Sequence, residues 1–390
     1  MPVRAASAAW TWSFWALLAL LWVLPVASGM LPASVALGQL ALTTLVLFGL
    51  VVTHELGHAV LGRLLGYRIF EISFGTGWPI VDTFVGRTRL RLSALPLGGH
   101  TLLAPKSDRV VAAREVFVSL AGPTVNLVIL GAALVSGWPP QLRILVIVMS
   151  AVLVLENLWP REVVSPLGAT VSDGLRAARA LDLDDDGVRT LLASRYLGET
   201  YVDHVRGDHA AAAAWDERGL AAFPGLAAFE GDIATSLVLQ GRYEEGRAAL
   251  RRHLARTDLE PVQRALYENN LAWADLLLDD PDLEAEALER SAAAFAVLPA
   301  LPAVRGTRGL ALIVGGAVDE GIDLCADAYR RHREPAARGA NAASIALGAA
   351  RQGRVATAER YLRRAIQLDP DGALIDRAGE ALRAARASVG

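Results

Sequence analysis

Cysteine and lysine are almost missing from this chain of 390 residues. The single cysteine, Cys325, has no second thiol to pair with, which excludes an internal disulfide framework and fits a reducing compartment. Lys106 is the only lysine, so arginine supplies nearly all of the positive charge. The formal net charge is −3, and without a basic excess we expect no binding to nucleic acid.

Charged side chains are also absent between residues 5 and 53, whereas the second half is rich in arginine, aspartate and glutamate. This asymmetry indicates a membrane domain followed by a soluble one. We predict about four transmembrane helices, at residues 9–28, 36–65, 115–137 and 143–155. A cleaved signal peptide is the alternative for residues 9–28, because Arg4 precedes the run, but its length favours a retained helix.

Residues 67–103 alternate or favour β-forming side chains and are interrupted by Gly75, Gly77 and Gly86. This pattern predicts a small, membrane-associated antiparallel sheet between the second and third spans. Eight basic residues lie between residues 63 and 114, around the connector of the second and third spans, whereas the connector between the first two spans carries none. By the positive-inside rule, the sheet lies on the cytoplasmic side of a multi-pass protein of the cell membrane.

The remainder, residues 186–388, is rich in alanine and helix formers. Turn signals recur every 34 to 40 residues, at Gly207, Gly241, Pro281, Gly316 and Gly353. This period is typical of a helix-turn-helix solenoid, and the last unit resembles a tetratricopeptide repeat. We therefore predict an all-α polytopic membrane domain, residues 1–180, followed by a soluble, cytoplasmic α-helical solenoid that binds a protein partner.

The pattern H-E-x-x-H stands directly after the second apolar run, from His54 to His58. On a helix the two imidazoles lie one turn apart on the same face, so both can reach one metal ion. Glu55 then lies beside that ion, in the position of a general base for water. Because charged groups at membrane depth are costly, we interpret this segment as a catalytic metal site. The alternative is a helix end whose polar side chains meet lipid head groups.

Four segments together resemble the site-2 protease family of intramembrane zinc metalloproteases. They are HELGH in the second span, a β-rich connector ending in PLGGH, AGPTVN in the third span, and NLWP followed by SDG. The resemblance covers roughly residues 36–180. It implies a Zn²⁺ ion bound by His54, His58 and Asp173, with Glu55 as the base. It also implies that Asn157 lies near the active cleft and accommodates substrate.

The last of these segments, NLWP followed by SDG, departs from the family pattern, because Asn157 and Asp173 are farther apart than is common there. Glu156 is therefore a rival for the third ligand, since it lies in an apolar helix. Its alternative role is an ion pair with Arg143 or Arg161, which we favour.

Two other polar residues have open roles. His100 is a weaker rival ligand, and its alternative is a turn residue packed against the sheet. Asn126, in the third span, either belongs to the substrate cleft or forms a hydrogen bond between helices, and we favour the structural role.

These observations predict a hydrolase that is embedded in the lipid bilayer and cleaves single-pass membrane proteins, as in regulated intramembrane proteolysis. The edge of the 67–103 sheet would receive the unwound substrate, and the repeat domain would recruit substrate or a regulator. One alternative is a catalytically inactive, membrane-anchored tetratricopeptide scaffold, against which the intact HELGH argues. Another is a metal-handling membrane protein, against which the clustering of polar residues at one depth argues.

Overall fold

The computed structural model divides into two compact units, Met1–Gly207 and Asp208–Gly390. The structure describes Gly29 and residues 32–389, except Asp108, Val110, Pro166, Leu167 and Arg333. The first predicted span, residues 9–28, lies outside the described residues. The sequence places the domain boundary between residues 180 and 186, whereas the two units divide one helix later.

Three helices of the first unit are long and apolar enough to cross a membrane, among the residues that the structure describes. They are α1 (Ala33–Leu64), α2 (Val111–Val135) and α3 (Pro140–Leu158). At 1.5 Å per residue, the 19 residues of α3 extend about 28 Å, close to the hydrocarbon thickness of a bilayer. Large apolar side chains such as Leu45 and Leu155 are exposed on these helices, which suits contact with lipid.

α1 and α2 pack against each other at a glycine. A Cβ atom on Gly57 would lie 2.9 Å from Cγ2 of Val125 and 3.0 Å from the carbonyl oxygen of Ala121. Only a residue without a side chain allows the two helices to come this close. The contact places the HELGH face of α1 against the middle of α2, where Pro123 lies inside the helix.

A long antiparallel hairpin follows α1, formed by β1 (Tyr67–Val85) and β2 (Thr88–Pro105). These strands cover the region in which the sequence predicts a sheet, and the association of that sheet with a membrane stays a prediction. Residues 71–74 of β1 pair with residues 99–102 on one side and with residues 89–92 on the other. Residues 99–105 therefore have a single partner segment among the described residues and form an edge of the sheet.

After α3, a short hairpin of β3 (Glu162–Ser165) and β4 (Gly168–Val171) leads to α4 (Asp173–Leu181) and α5 (Asp185–Val205). α5 packs on the β1–β2 hairpin, where Phe70 is fully buried and a Cβ atom on Gly198 would overlap its ring. Arg68 and Arg87 both form ion pairs with Glu199 of α5, at 2.8 and 2.9 Å. These contacts make α5 part of the first unit, although the sequence assigns it to the repeat domain.

A buried carboxylate strengthens the contact between α5 and the hairpin. Glu71 of β1 is 1% exposed and accepts hydrogen bonds from Tyr201 of α5 and from His100 of β2. Burial raises the pKa of Glu71, but these hydrogen bonds and the charge of Arg89 outweigh it and lower the pKa to about 2. Glu71 is therefore ionised at neutral pH.

The second unit consists of ten helices among the described residues. In chain order they are α6 (His209–Ala222), α7 (Ala227–Leu239), α8 (Tyr243–Leu254), α9 (Pro261–Leu277), α10 (Pro281–Val297), α11 (Pro302–Val314), α12 (Val318–Arg331), α13 (Pro335–Arg351), α14 (Val355–Leu368) and α15 (Ile375–Val389). Consecutive helices pack against each other across short turns. Four of the five turn signals of the sequence fall between two helices, and the fifth, Pro281, is the first residue of α10.

Alanine forms much of the core of this unit, because its small side chain allows helices to approach closely. Ala272, Ala342 and Ala346 are buried together with larger side chains such as Ile313. Cys325 is fully buried in the same core, where burial raises the pKa of its thiol to about 12. A thiol in this environment is unreactive, in agreement with a structural role.

Candidate metal centre

Two imidazole groups of α1 meet at one point. The Nε2 atoms of His54 and His58 are 3.2 Å apart, and both side chains are buried. Nδ1 of His58 lies 2.7 Å from the carbonyl oxygen of Val118 in α2. Since a carbonyl oxygen only accepts, Nδ1 carries the proton and donates it. The lone pair of Nε2 is then free to bind a metal ion.

Asn126 of α2 contacts the second imidazole. Its side-chain amide lies 3.1 Å from Nδ1 of His54, and its Oδ1 atom is buried without a hydrogen-bond partner. The two ends of an amide are interchangeable by rotation, and with Oδ1 turned towards His54 it accepts the proton of Nδ1. Nε2 of His54 then also keeps its lone pair for a metal ion. Asn126 thus forms a hydrogen bond between two helices, the role that the sequence favours.

A carboxylate from α4 completes the group. Oδ2 of Asp173 lies 3.1 Å from Nε2 of His54 and 3.4 Å from Nε2 of His58. In the described part of the chain, these three residues are the one cluster of His, Cys, Asp or Glu side chains that could hold a metal ion.

Contacts at the start of α4 hold this carboxylate in place. Ser172 caps the helix with its side chain. Gly174 lies against the end of α3, because a Cβ atom there would come within 2.0 Å of the carbonyl oxygen of Leu158. One turn further, Arg176 forms an ion pair with Glu115, a buried residue of α2. α2 and α3 therefore both position the helix that carries Asp173.

The three donor atoms fit a tetrahedral zinc ion. With metal–ligand bonds of about 2.0–2.1 Å, tetrahedral ligand atoms lie about 3.3–3.4 Å apart, and the three separations here are 3.1, 3.2 and 3.4 Å. A Cβ atom on Gly122 would lie 2.4 Å from Nε2 of His58 and 2.5 Å from Nε2 of His54. Glycine therefore leaves open the space that an ion needs. Two imidazoles and one carboxylate form a catalytic type of zinc site with one position left for water or substrate.

Glu55 lies beside this centre, against strand β2. Its side chain is 5% exposed, and Oγ1 of Thr101 lies 2.8 Å from its Oε2 atom. Gly99 covers a second side, since a Cβ atom there would come within 2.8 Å of Cγ and 3.0 Å of Oε1 of Glu55. The carboxylate is thus enclosed by the hairpin and held next to the two histidines.

The other candidates from the sequence lie outside the cluster of donor atoms. Glu156 forms an ion pair with Arg161 at 3.3 Å, which is one of its two alternatives from the sequence. His100 lies 3.0 Å from Glu71 through its Nε2 atom. Asn157 donates its amide to a carbonyl oxygen four residues earlier in α3, and its part in accommodating substrate stays a prediction.

Sequence reasoning missed Gly99, Thr101 and Gly122, which all contact the centre. Gly99 belongs to PLGGH, Thr101 follows it directly, and Gly122 belongs to AGPTVN. Both segments are recognisable as motifs, but which atoms they contact depends on the packing of β2 and α2 against α1. The spacing of residues within each motif carries no information on that packing.

An H-E-x-x-H helix among membrane-length helices, joined by a carboxylate from a later helix, is the arrangement expected of a membrane metallopeptidase. The chain belongs to peptidase family M50, the site-2 protease family, whose model matches residues 42–298. A relative from Agrobacterium fabrum is 34% identical over 147 residues, which make up 35% of this chain and 38% of the relative. A relative from Campylobacter jejuni is 31% identical over 101 residues, which make up 22% of this chain and 27% of the relative. Both carry the provisional name zinc metalloprotease, and the chain spans well under half of their length.

Solved structures, one of them of a tetratricopeptide-repeat protein, are similar to part of the chain. One from Thermus thermophilus aligns with 49% of this chain and 98% of its own, with 19% sequence identity and a TM-score of 0.37. The protein MamA aligns with 43% of this chain and 92% of its own, with 17% identity and a TM-score of 0.30.

Proposed function

We propose that this protein is a zinc-dependent intramembrane peptidase that hydrolyses peptide bonds of membrane proteins. The observation that supports this function best is the convergence of His54, His58 and Asp173, with Glu55 buried beside them. Membership of family M50 supports the same conclusion. Zinc is the cofactor that agrees with both the donor atoms and the family.

Each residue of the centre has a defined task in this reaction. Zn²⁺, when bound, lowers the pKa of a water molecule and polarises the peptide carbonyl group. His54 and His58 hold their Nε2 lone pairs towards the centre, because their Nδ1 atoms are hydrogen-bonded to α2. Glu55 takes a proton from the attacking water and gives it to the leaving amine as the C–N bond breaks.

The edge of the hairpin is the proposed platform for substrate. A transmembrane helix hides its peptide groups in internal hydrogen bonds, so a segment must unwind before hydrolysis. Residues 99–105 form a strand edge next to Glu55, and an extended segment can add to such an edge by main-chain hydrogen bonds. An apolar groove of about 630 Å³ lies between α1 and the hairpin, lined by side chains such as Leu40, Phe48 and Ile80. This groove supports an apolar, membrane-derived substrate, for which single-pass proteins are the simplest source.

The second unit is the proposed recruitment module for substrate or a regulatory protein. Its helical array is of the kind that presents an extended surface to other proteins. We place it in the cytoplasm, because eight basic residues between residues 63 and 114 surround the hairpin, and the positive-inside rule assigns that connector to the cytoplasmic side. The inactive scaffold remains the second candidate function. The enclosed position of Glu55 favours the peptidase, since a scaffold has no need to hold a carboxylate beside two histidines.

The test is a cleavage assay with purified protein in lipid vesicles and a single-pass model substrate. We expect wild-type protein to cleave and to contain one zinc ion by mass spectrometry. Glu55→Gln should retain zinc but lose cleavage by at least about 1000-fold, because the base is removed and the ligands are not. A zinc-bound wild-type protein no more active than Glu55→Gln on every substrate tried would support the scaffold instead.

A further inference from the structure

The hydrogen bond between Thr101 and Glu55 joins the substrate edge of the hairpin to the base. We propose that Thr101 is a positioning residue for Glu55, an inference that rests on the proposed peptidase function. The hydroxyl group of Thr101 binds one oxygen of the carboxylate and leaves the other for proton transfer. Thr101 thus acts through Glu55, by positioning its carboxylate.

The distances decide which acceptor the hydroxyl group uses. Oγ1 of Thr101 lies 2.8 Å from Oε2 of Glu55 and 3.2 Å from the main-chain carbonyl oxygen of Glu55. A hydroxyl group has one proton to donate, and a hydrogen bond to an ionised carboxylate is shorter and stronger than one to a neutral carbonyl. Thr101 therefore donates to Oε2, and Oε1 of Glu55 is the oxygen that is free to accept a proton from water.

Strand pairing fixes the position of the Thr101 hydroxyl group. Thr101 pairs with Ile72 and Gly99 pairs with Phe74 in the β1–β2 ladder. Residues 99 and 101 lie on the same face of the strand, since side chains alternate along it. This face is the one towards Glu55, where Gly99 leaves no room for a side chain. Gly99 and Thr101 thus form one surface of the strand that accommodates the carboxylate of Glu55.

A misplaced base is costly, which sets the size of the expected effect. Glutamate has three rotatable side-chain bonds, and without Thr101 the walls of the pocket alone restrict Oε2. A displacement of about 1 Å of a catalytic group can cost about 100-fold in rate. We therefore expect a 10- to 100-fold lower kcat when the hydroxyl group is removed, with little change in KM or in zinc binding.

The experiment compares Thr101→Val, which removes the hydroxyl group at nearly constant volume, with Thr101→Ser, which keeps it. The control is Thr83→Val, the same exchange at an exposed position of the same hairpin. For each variant we would measure kcat and KM in the vesicle assay, zinc content by mass spectrometry, and the midpoint of thermal unfolding. We expect Thr101→Val to lose kcat alone, and Thr101→Ser and Thr83→Val to stay within about threefold of wild type.

Three outcomes would overturn the proposal. In the first, Thr101→Val retains wild-type kcat while Glu55→Gln is inactive, which refutes the positioning role and leaves the peptidase intact. In the second, Thr101→Ser loses as much activity as Thr101→Val, which makes the methyl group and its packing the cause. In the third, Thr101→Val loses zinc, which makes the residue structural for the metal centre. Wild-type protein as inactive as Glu55→Gln would instead refute the peptidase function itself.

Discussion

Replacing Gly122 by alanine places a methyl group where the metal ion must lie. The added Cβ atom would stand 2.4 Å from Nε2 of His58 and 2.5 Å from Nε2 of His54. An ordinary contact between carbon and nitrogen is about 3.4 Å, so each imidazole would have to retreat by about 1 Å. We predict that Gly122→Ala folds but binds zinc weakly.

The imidazoles have little freedom to retreat. His58 is held by Val118 through its Nδ1 atom, and His54 by Asn126. Ligand distances in a metal site are held within about 0.2 Å, far less than the displacement required. A loss of at least about 100-fold in zinc affinity follows, which corresponds to about 2.8 kcal/mol at 1.4 kcal/mol per tenfold change.

The assay is zinc retention against a competing chelator, with purified protein in detergent and the metal measured by mass spectrometry. Gly131→Ala is the matched control, because Gly131 lies in the same helix and no atom would meet its Cβ within 4 Å. This control should bind zinc as wild type does, and the thermal midpoint reports whether either variant unfolds. If Gly122→Ala held zinc with wild-type affinity, the ion could not lie between these two Nε2 atoms, and the assignment of the centre would be wrong.

Three further predictions concern the surroundings of the centre. Asp173→Asn should lower zinc affinity by at least about tenfold, whereas Glu156→Gln should leave zinc affinity unchanged. An equal loss of zinc in both variants would restore Glu156 as a candidate ligand. Asn126→Ala should lower zinc affinity by about 10- to 100-fold, since it frees the imidazole of His54, and unchanged chelator competition would argue against this role. The pKa of Glu71 is lowered to about 2 from an ordinary 4.5, so the ionised carboxylate contributes up to about 3 kcal/mol to the free energy of unfolding. This contribution is present above pH 4.5 and is lost as the pH falls towards 2. Glu71→Gln should flatten this acid dependence of the unfolding free energy, and an equally steep dependence in the variant would contradict it.

Much of the centre could be predicted from the sequence because its main signals are local. His54 and His58 are four residues apart on one helix, so helix geometry alone brings them together. Asp173 is different, because it lies 115 positions after His58 and its motif is irregular. Only the family resemblance suggested it, and the start of α4 brings it to the histidines through contacts with α2 and α3.

The role of Asn126 shows why the remainder could not be predicted. A polar side chain in an apolar span indicates a buried partner but does not identify that partner, since any of several helices could supply it. Whether Asn126 faces His54 depends on how the 71 intervening residues fold and on how α2 is rotated about its axis. Both depend on the summed packing at close contacts such as that of Gly57. Such packing has no signature in the spacing of a motif.

The division between spans and repeats has a similar explanation. Helical propensity and alanine content continue without a break through residues 186–205, so composition assigns α5 to the repeats. The charges that tie α5 to the hairpin lie more than 110 residues away in the chain, as for Arg87 and Glu199. Attraction between such distant groups becomes visible only when the hairpin is folded.

The attachment of α5 decides where this chain can be cut for biochemical dissection. A protein ending near residue 181 would lack the helix that covers Phe70, and the guanidinium groups of Arg68 and Arg87 would lose their carboxylate partner. The sheet whose strand β2 carries Thr101 would then be left uncovered on the side that α5 occupies. A stop codon after Gly207 preserves all of these contacts, and is therefore the truncation with which the proposed recruitment role of the second unit can be tested.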